Sequence, residues 1–427
     1  MAHIIPFKGL LYNPEKVSGD DVTAPPYDVI TPDYKETLYR KSPYNIIRID
    51  SGNTMAGDTD TSNKYTRARD LLEQWVKEEI LVRDETPAFY GYVIDYVFSG
   101  ERKQLKGILA LVKIEELGKG IYPHEETHSK PKADRLNLMK TCFGNISPIY
   151  SLYNSPDKIA SGILRDIHNA PFISGTDADG ARHSIFKITG KSQIESIVRE
   201  LNDKPIFIAD GHHRYEVALE FKKEMEVKEG KGPASGGADG RGQTTGVPWD
   251  YVMMFLANMA DEGITILPAH RLVRGIKEND IFQKLESDFA ISRLPETSNI
   301  PRTLSLEGKN VFGLYMDKGQ HCYILKYKRD GLSDLPQALK DLDVVVLHEL
   351  VLRRCLGITD IDYEMDINEA VGRVRKGDFE GVFFLNPTGI GEVERVALSN
   401  LRMPPKSTYF YPKILTGLVI NSFKNNF

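Results

Sequence analysis

The sequence has little cysteine and little tryptophan: three Cys and two Trp in 427 residues. Cys142, Cys322 and Cys355 are far apart and odd in number, and no CxxC pair occurs. This excludes a disulfide framework and a CxxC-type zinc site, and a reducing compartment is expected. No apolar run approaches the length of a membrane span. The opening MAHIIPFKGL lacks the long apolar core of a signal peptide. A cytoplasmic protein without a membrane partner is therefore expected. Positive charge is not in excess either: the formal net charge is -5 and the pI about 6.1. Nothing asks for a nucleic acid as partner. The remainder, 41% hydrophobic and 27% charged, is that of an ordinary globular chain. Its length suits two or three domains and a large core.

One stretch stands out. Pro205 to Phe221 reads PIFIADGHHRYEVALEF. The apolar run Ile206 to Ala209, β-branched and aromatic, predicts a buried strand. Asp210-Gly211 breaks it. From His212 the period turns helical, with Tyr215, Val217, Ala218 and Phe221 on one stripe. A strand running through a tight turn into a helix leaves the first helical N–H groups unpaired and partly positive. Gly211 lets the backbone approach a ligand. His212, His213 and Arg214 put three potential cations in the first turn, where they oppose the helix dipole. A bound phosphate relieves that conflict. The blander alternative has Asp210 only capping the helix and the histidines bonded in the interior.

The rest of the chain is read coarsely. Residues 1–57 are irregular and proline-rich, with APPYDVI at 24–30 as a wall or lid, or else a surface loop, and a strand at Asn45 to Ile49. A helix is expected over 62–82 and a hairpin over 88–115. HEETH, His124 to His128, is dense in titratable groups. A basic loop then opens a helix near Ala133, and Asn145 to Tyr153 is a strand. A helix from Pro156 to His168, a strand from Ser184 to Ile188 and a Ser192-capped helix follow. The Gly-rich stretch from Glu229 to Gly246 reads as a flexible loop. Asp250 to Met259 is a buried strand. The remainder holds a helix at NDIFQKLESDF, a hairpin turning at Lys318-Gly319-Gln320, two helices with a break near Asp343, a strand at 381–387, a helix at 393–401, the box MPPKSTYFYPK and a last helix. Strand and helix alternation predicts an α/β fold with a mixed sheet.

The motifs ADGHHRYE, HEET, ARHSIF, ILPAHRL and MPPKSTYFYPK resemble a prokaryotic family catalogued as a conserved domain of unknown function, over essentially the full length. ADGHHR followed by a helix is also similar to the nucleotide-binding box of the ParB/sulfiredoxin superfamily, above all of its free serine kinases. That resemblance implies a ParB/sulfiredoxin-like core with N- and C-terminal extensions, divided as 1–113, 114–289 and 290–427. It implies ATP or ADP with Mg2+, a context in serine or phosphoserine metabolism, and a glutamate base, for which Glu125 or Glu126 is the candidate.

The chemistry expected is phosphoryl transfer, which needs positioning, charge neutralisation and a base. Catalytic candidates are Glu125, Glu126, His212 and His213. Like charges near Glu125 raise one carboxyl pKa, which suits a general base. Phosphate or nucleotide candidates are Asp210, Gly211, His212, His213, Arg214, Arg182, His183, His270, Arg271 and Lys406, with Asp210 as metal ligand. Glu125 or Glu126 is expected across a cleft from the box, with Arg182 and His270 at its rim. The function read is a small-molecule phosphotransferase or phosphohydrolase acting on a serine-like hydroxyl compound or its phosphoester. The competing readings are a non-catalytic nucleotide-binding regulator and DNA handling. The net charge and the lack of a recognisable helix-turn-helix argue against the last. The sequence leaves the oligomeric state open.

Overall fold

Tyr251–Asn258 reads YVMMFLAN without alternation, and all eight residues are buried. A strand apolar on both faces belongs in the middle of a covered sheet. A computed structural model, which describes residues 3–126, 129–230, 246–316, 321–328 and 331–424, places it there. The fold is mixed α/β. Two units can be told apart.

The first unit comprises residues 1–123, 127–264 and 412–427. It is built on a nine-stranded mixed sheet. Along the sheet run Ile121–Tyr122, Ile206–Asp210, Ile149–Tyr153, Tyr251–Asn258, Glu101–Lys113, Phe89–Phe98, Arg182–Ile188 and Ile173–Thr176, with Ile4–Ile5 beside Glu101–Lys113. Two pairings are parallel, Ile206–Asp210 with Ile121–Tyr122 and Tyr251–Asn258 with Ile149–Tyr153. Helices Ser129–Cys142 and His212–Lys228 bury Leu136, Met139, Tyr215, Val217, Ala218 and Phe221 in the same core as the sheet residues Ile149, Ile206, Ile208 and Met254. Helix Lys64–Lys77 starts at a capping box made by Asn63 and Thr66.

The second unit comprises residues 124–126 and 265–411. Its six-stranded antiparallel sheet runs Phe289–Leu294, His321–Tyr327, Val311–Met316, Gly381–Phe384, His270–Val273, Ile361–Glu364. Helices Ile300–Glu307 and Ile367–Arg375 bury Ile300, Leu304, Ala370, Val371 and Val374 in its core. Residues 124–126 meet the 403–408 segment of the same unit, where Glu125 bridges to Met403.

The structure departs from the sequence reading at several places. Asn45 to Ile49 is no strand: Ile47–Asp50 is a helical turn. The Asn45 side chain bonds the backbone of Ile47, Asp21 and Thr23, and this local network overrides the β propensity of the isoleucines. The helix read from Pro156 to His168 is only Ile159–Arg165. Ser192 caps nothing; helix Lys191–Leu201 starts one residue earlier, after Gly190. Within NDIFQKLESDF the helix stops at Leu285, and Phe289 already opens a strand. The expected last helix is an extended strap. Its residues Asn421–Ser422 pair with Gly144–Asn145, and Thr416 and Ile420 bridge to Ala24 and Leu10. Its apolar residues show no alternation because the strap is covered on both sides: Ile414, Leu415, Leu418, Val419, Ile420 and Phe423 all lie in the interior. Residues 231–245 of the Gly-rich stretch, His128 and Lys318-Gly319-Gln320 lie outside the described residues.

The strap yields the first prediction. Phe423 is stacked on Phe221 at 5.7 Å between ring centroids and meets Phe143 edge-on at 5.4 Å. Phe423→Ala should lower the stability of the first unit by about 3–5 kcal/mol, the usual range for a buried Phe truncation. Urea unfolding followed by far-UV circular dichroism reads it, and a loss below about 1 kcal/mol contradicts the packing described.

Candidate functional site

Strand Ile206–Asp210 enters helix His212–Lys228 through Gly211, whose φ is 95°. That left-handed conformation favours glycine. A Cβ there would also sit 2.7 Å from the Arg214 side chain. The 17-residue helix has no acidic residue in its first turn and no side-chain cap. Asp210 therefore does not cap it. The orphan N–H groups and the positive dipole end are left without a carboxylate from the helix itself.

The Asp210 carboxylate is held by cations instead. Its Oδ2 accepts from Lys413 Nζ at 2.8 Å, and its Oδ1 lies 3.7 Å from Arg214 Nη2. Asp210 thus serves as counter-ion to Lys413 and Arg214. Among the described residues no group of three His, Cys, Asp or Glu gathers for a metal.

Arg214 does not splay outwards as a fork. It is 8% exposed, and Nη1 donates to the Pro148 carbonyl. Its Nε has no partner. It lines a hollow together with Asp50 and Arg135. Arg135, on helix Ser129–Cys142, donates to Asp50 Oδ1 at 3.0 Å and to Asp134 Oδ2 at 2.5 Å. Its guanidinium carbon lies 4.3 Å from the Tyr27 ring centroid. Burial pushes the Asp50 carboxyl up, against the opposing pull of Arg135 and Arg214. Burial also acts on Asp134, but Arg135 and Lys64 outweigh it and bring that carboxyl down to about 2. Burial raises the Tyr27 phenol to about 12.

In the second unit, Glu125 Oε1 accepts from both Thr408 N and Thr408 Oγ1 at 3.0 Å. The His124 ring Nε2 lies 2.8 Å from Thr408 Oγ1. Glu126 is exposed. Arg271 is fully buried, donating to the carbonyls of Ala269 and Lys406. Its guanidinium lies over Tyr363, 5.4 Å from the ring centroid. Burial lowers its pKa to about 10, against the raising influence of Tyr363 and Glu125. Lys406 is exposed with φ 57° at the turn that Arg271 clamps. The structure thus gathers Glu125, Arg271 and Lys406 in one unit, and Asp210, Gly211, His212, His213 and Arg214 in the other.

Two histidines leave the candidate set. His183 is completely buried in the first unit, with Nδ1 at 2.8 Å from Tyr92 Oη and Nε2 at 3.1 Å from Asp177 Oδ2. Both nitrogens are engaged in holding the strand. His270 is buried against Phe384, and neither ring nitrogen has a partner. Burial and the neighbouring Arg271 lower its pKa to about 3, so it is neutral and no cationic phosphate ligand. Arg182 is exposed on its strand. Sequence reasoning missed Tyr27, Asp50, Arg135 and Lys413. Three sit in stretches already conspicuous, APPYDVI, SKPKADRL and YPK; Asp50 carries no signal beyond a charge after an apolar run.

The chain belongs to the family described as protein of unknown function (DUF1015), whose model matches residues 4–345. No curated protein matches it. Among solved structures it is similar to a free serine kinase in complex with AMP, at 12% identity and a TM-score of 0.35, covering 73% of this chain and 92% of that one. A conserved hypothetical protein from Pyrococcus furiosus gives 14% and 0.36, covering 75% and 97%. C-terminally truncated SbnI from Staphylococcus aureus gives 10% and 0.36, covering 74% and 89%.

The neutral His270 makes a pH prediction. Its folded pKa lies below its unfolded one, so the unfolded chain binds the extra proton between pH 6.5 and 3. Stability is full above pH 6.5 and is lost as the pH falls. At pH 5 the loss from this group is about 2 kcal/mol. His270→Leu should flatten the fall in melting temperature between pH 7 and pH 5. An unchanged slope in the variant counts against a buried, neutral His270.

Proposed function

We propose that the protein is a cytoplasmic small-molecule phosphotransferase or phosphohydrolase whose phosphate group rests on the turn at Gly211. One observation carries the reading. A long helix begins directly after a left-handed glycine, without a side-chain cap or an acidic first turn, and with His212, His213 and Arg214 in that turn. Such a terminus favours an anion. Asp210, which stands next to it, has its charge matched by Lys413 and Arg214, so it does not repel one.

In this reading the phosphoryl group of ATP, ADP or a phosphoester meets the first N–H groups of the helix. His213 is only half-buried and serves as a donor at the mouth of the turn. Arg214 braces the turn from within and adds field. Glu125 or Glu126 acts on the hydroxyl of a small acceptor of the serine type, or on water. Mg2+ would come with the nucleotide phosphates, which supply most of its ligands in such sites. The core is taken as ParB/sulfiredoxin-like in keeping with the box.

A second reading is favoured by the state of Glu125. Its Oε1 already serves Thr408 twice. A carboxylate engaged in holding a loop is less available as a base, and a nucleotide-binding regulator needs none.

Two substitutions separate binding from chemistry. Arg214→Ala removes the brace of the turn and its field, and should weaken ADP binding by on the order of 1 kcal/mol, the scale of a charge at a helix terminus, measured by calorimetry. Glu125→Gln should leave that binding nearly intact and lower turnover about 10²–10⁴-fold, measured as phosphate or nucleotide release. Loss of binding in Arg214→Ala with no turnover in the unmodified protein selects the regulator. Full turnover in both Glu125→Gln and Glu126→Gln removes either carboxylate as the base.

A further inference from the structure

Segment 403–408 of the second unit meets His124 and Glu125 at both of its ends. Met403 N donates to the His124 carbonyl at 2.8 Å. Thr408 donates from N and Oγ1 to Glu125 Oε1, both at 3.0 Å. Between these ends Lys406 takes φ 57°, which a residue with a Cβ adopts at a cost. Such conformations persist where the surroundings over-determine them, and they gather at functional sites. Two groups hold this one. Thr388 Oγ1 donates to the Ser407 carbonyl at 3.0 Å, and Arg271 Nη2 donates to the Lys406 carbonyl at 3.2 Å.

A hydrogen bond to a carbonyl needs no charge. An amide donor would clamp the turn without the desolvation that a buried guanidinium costs. Arg271 is fully buried, and its Nε has no partner. Burial lowers its pKa only to about 10, so it stays charged at neutral pH. Three groups act on it from other segments: Tyr363 on strand Ile361–Glu364, His348 on the π-helix Val346–Leu356, and Glu125. Burial raises the Tyr363 phenol and lowers the His348 ring, the latter with help from Arg271, so both are neutral. Of the three, Glu125 carries the opposite charge. His124 also faces Glu125, with Nε2 at 3.7 Å from Oε1, and Lys406 acts on Tyr363 from the turn. We propose that Arg271 is a positioning residue for Glu125: it holds the turn that fixes Oε1, and its permanent charge keeps the carboxylate ionised. The coupling of the two residues stands on this geometry, and the use of Glu125 as a base rests on the phosphotransfer reading.

The test reads Glu125 directly, through its carboxyl-carbon resonance in the full chain as the pH is varied. Arg271→Gln offers a donor to the Lys406 carbonyl and removes the charge. Losing a nearby cation favours the protonated carboxyl, so the Glu125 midpoint should rise by about one pH unit. Turnover is followed on the same preparations with ATP or ADP and L-serine. The acid limb of kcat/KM should move up with the Glu125 midpoint. Arg271→Lys keeps a cation and should restore most of the shift. A clamp without electrostatic effect would lower the melting temperature of both variants and leave the Glu125 midpoint in place, and that result overturns the proposal. The unmodified chain gives a second measurement, which stands if Arg271→Gln folds poorly. There the Arg271 Nε resonance should move with the midpoint of Glu125. A resonance that stays still while Glu125 titrates overturns the proposal as well. A raised midpoint with no turnover in any preparation leaves the coupling and removes the phosphotransfer reading. Turnover with an unmoved midpoint does the reverse.

Discussion

A run of alternating charges holds the box turn. Lys413 pairs with Asp210, Asp210 faces Arg214, Arg214 acts electrostatically on Asp50, and Asp50 pairs with Arg135, which also holds Asp134. The central members Asp50, Arg135 and Arg214 are all more than nine-tenths buried. Buried charges are costly unless their partners are well placed, and removing one partner strands the other at a cost of about 3–5 kcal/mol. The run therefore tolerates no single deletion easily. It fixes elements from distant parts of the chain: the turn Ile47–Asp50, helix Ser129–Cys142, the start of helix His212–Lys228, and the terminal strap.

That constraint explains the shape of the turn. Without it, Asp210 would be a free carboxylate beside a helix N-terminus and would compete with any incoming anion. Lys413 and Arg214 neutralise it, and the first-turn N–H groups keep their positive character. The charge balance of the turn thus comes from two distant chain segments, the box and the terminal strap, with Gly211 providing the backbone conformation.

The turn itself was legible in the sequence because its signal is local. A change of hydrophobic period at Asp210-Gly211 is visible within about ten residues, and the strand and helix lie where it puts them. The central strand Tyr251–Asn258 and the hairpin Phe89–Phe98 with Glu101–Lys113 were legible for the same reason. The partners of the turn were not. Lys413 is some two hundred residues from Asp210, and the nine-stranded sheet draws strands from both sides of residue 113. No period or spacing encodes such pairings. The terminal strap misled because an apolar run buried on all sides has no alternation to mark it as extended. His183 and His270 misled in another way. Their residue type signals chemistry, while their burial and bonding are tertiary facts.

The second unit repeats the logic of the first with a different outcome. Arg271 is a fully buried cation, held by two backbone carbonyls and a tyrosine face, while its Nε has no partner. Carbonyl dipoles bond a guanidinium without neutralising it, so its positive charge persists beneath the Lys406 turn. Glu125, acting on it electrostatically, is itself tied to Thr408 of that turn. Holding Glu125 at a fixed orientation is what a base requires and also what a strut requires. The difference lies in the second oxygen: a strut needs only Oε1, which Thr408 uses, whereas a base must present Oε2 to a substrate hydroxyl. Glu126, adjacent in the chain, is exposed. Strut and base are thus told apart at Oε2 and not at the oxygen that Thr408 holds.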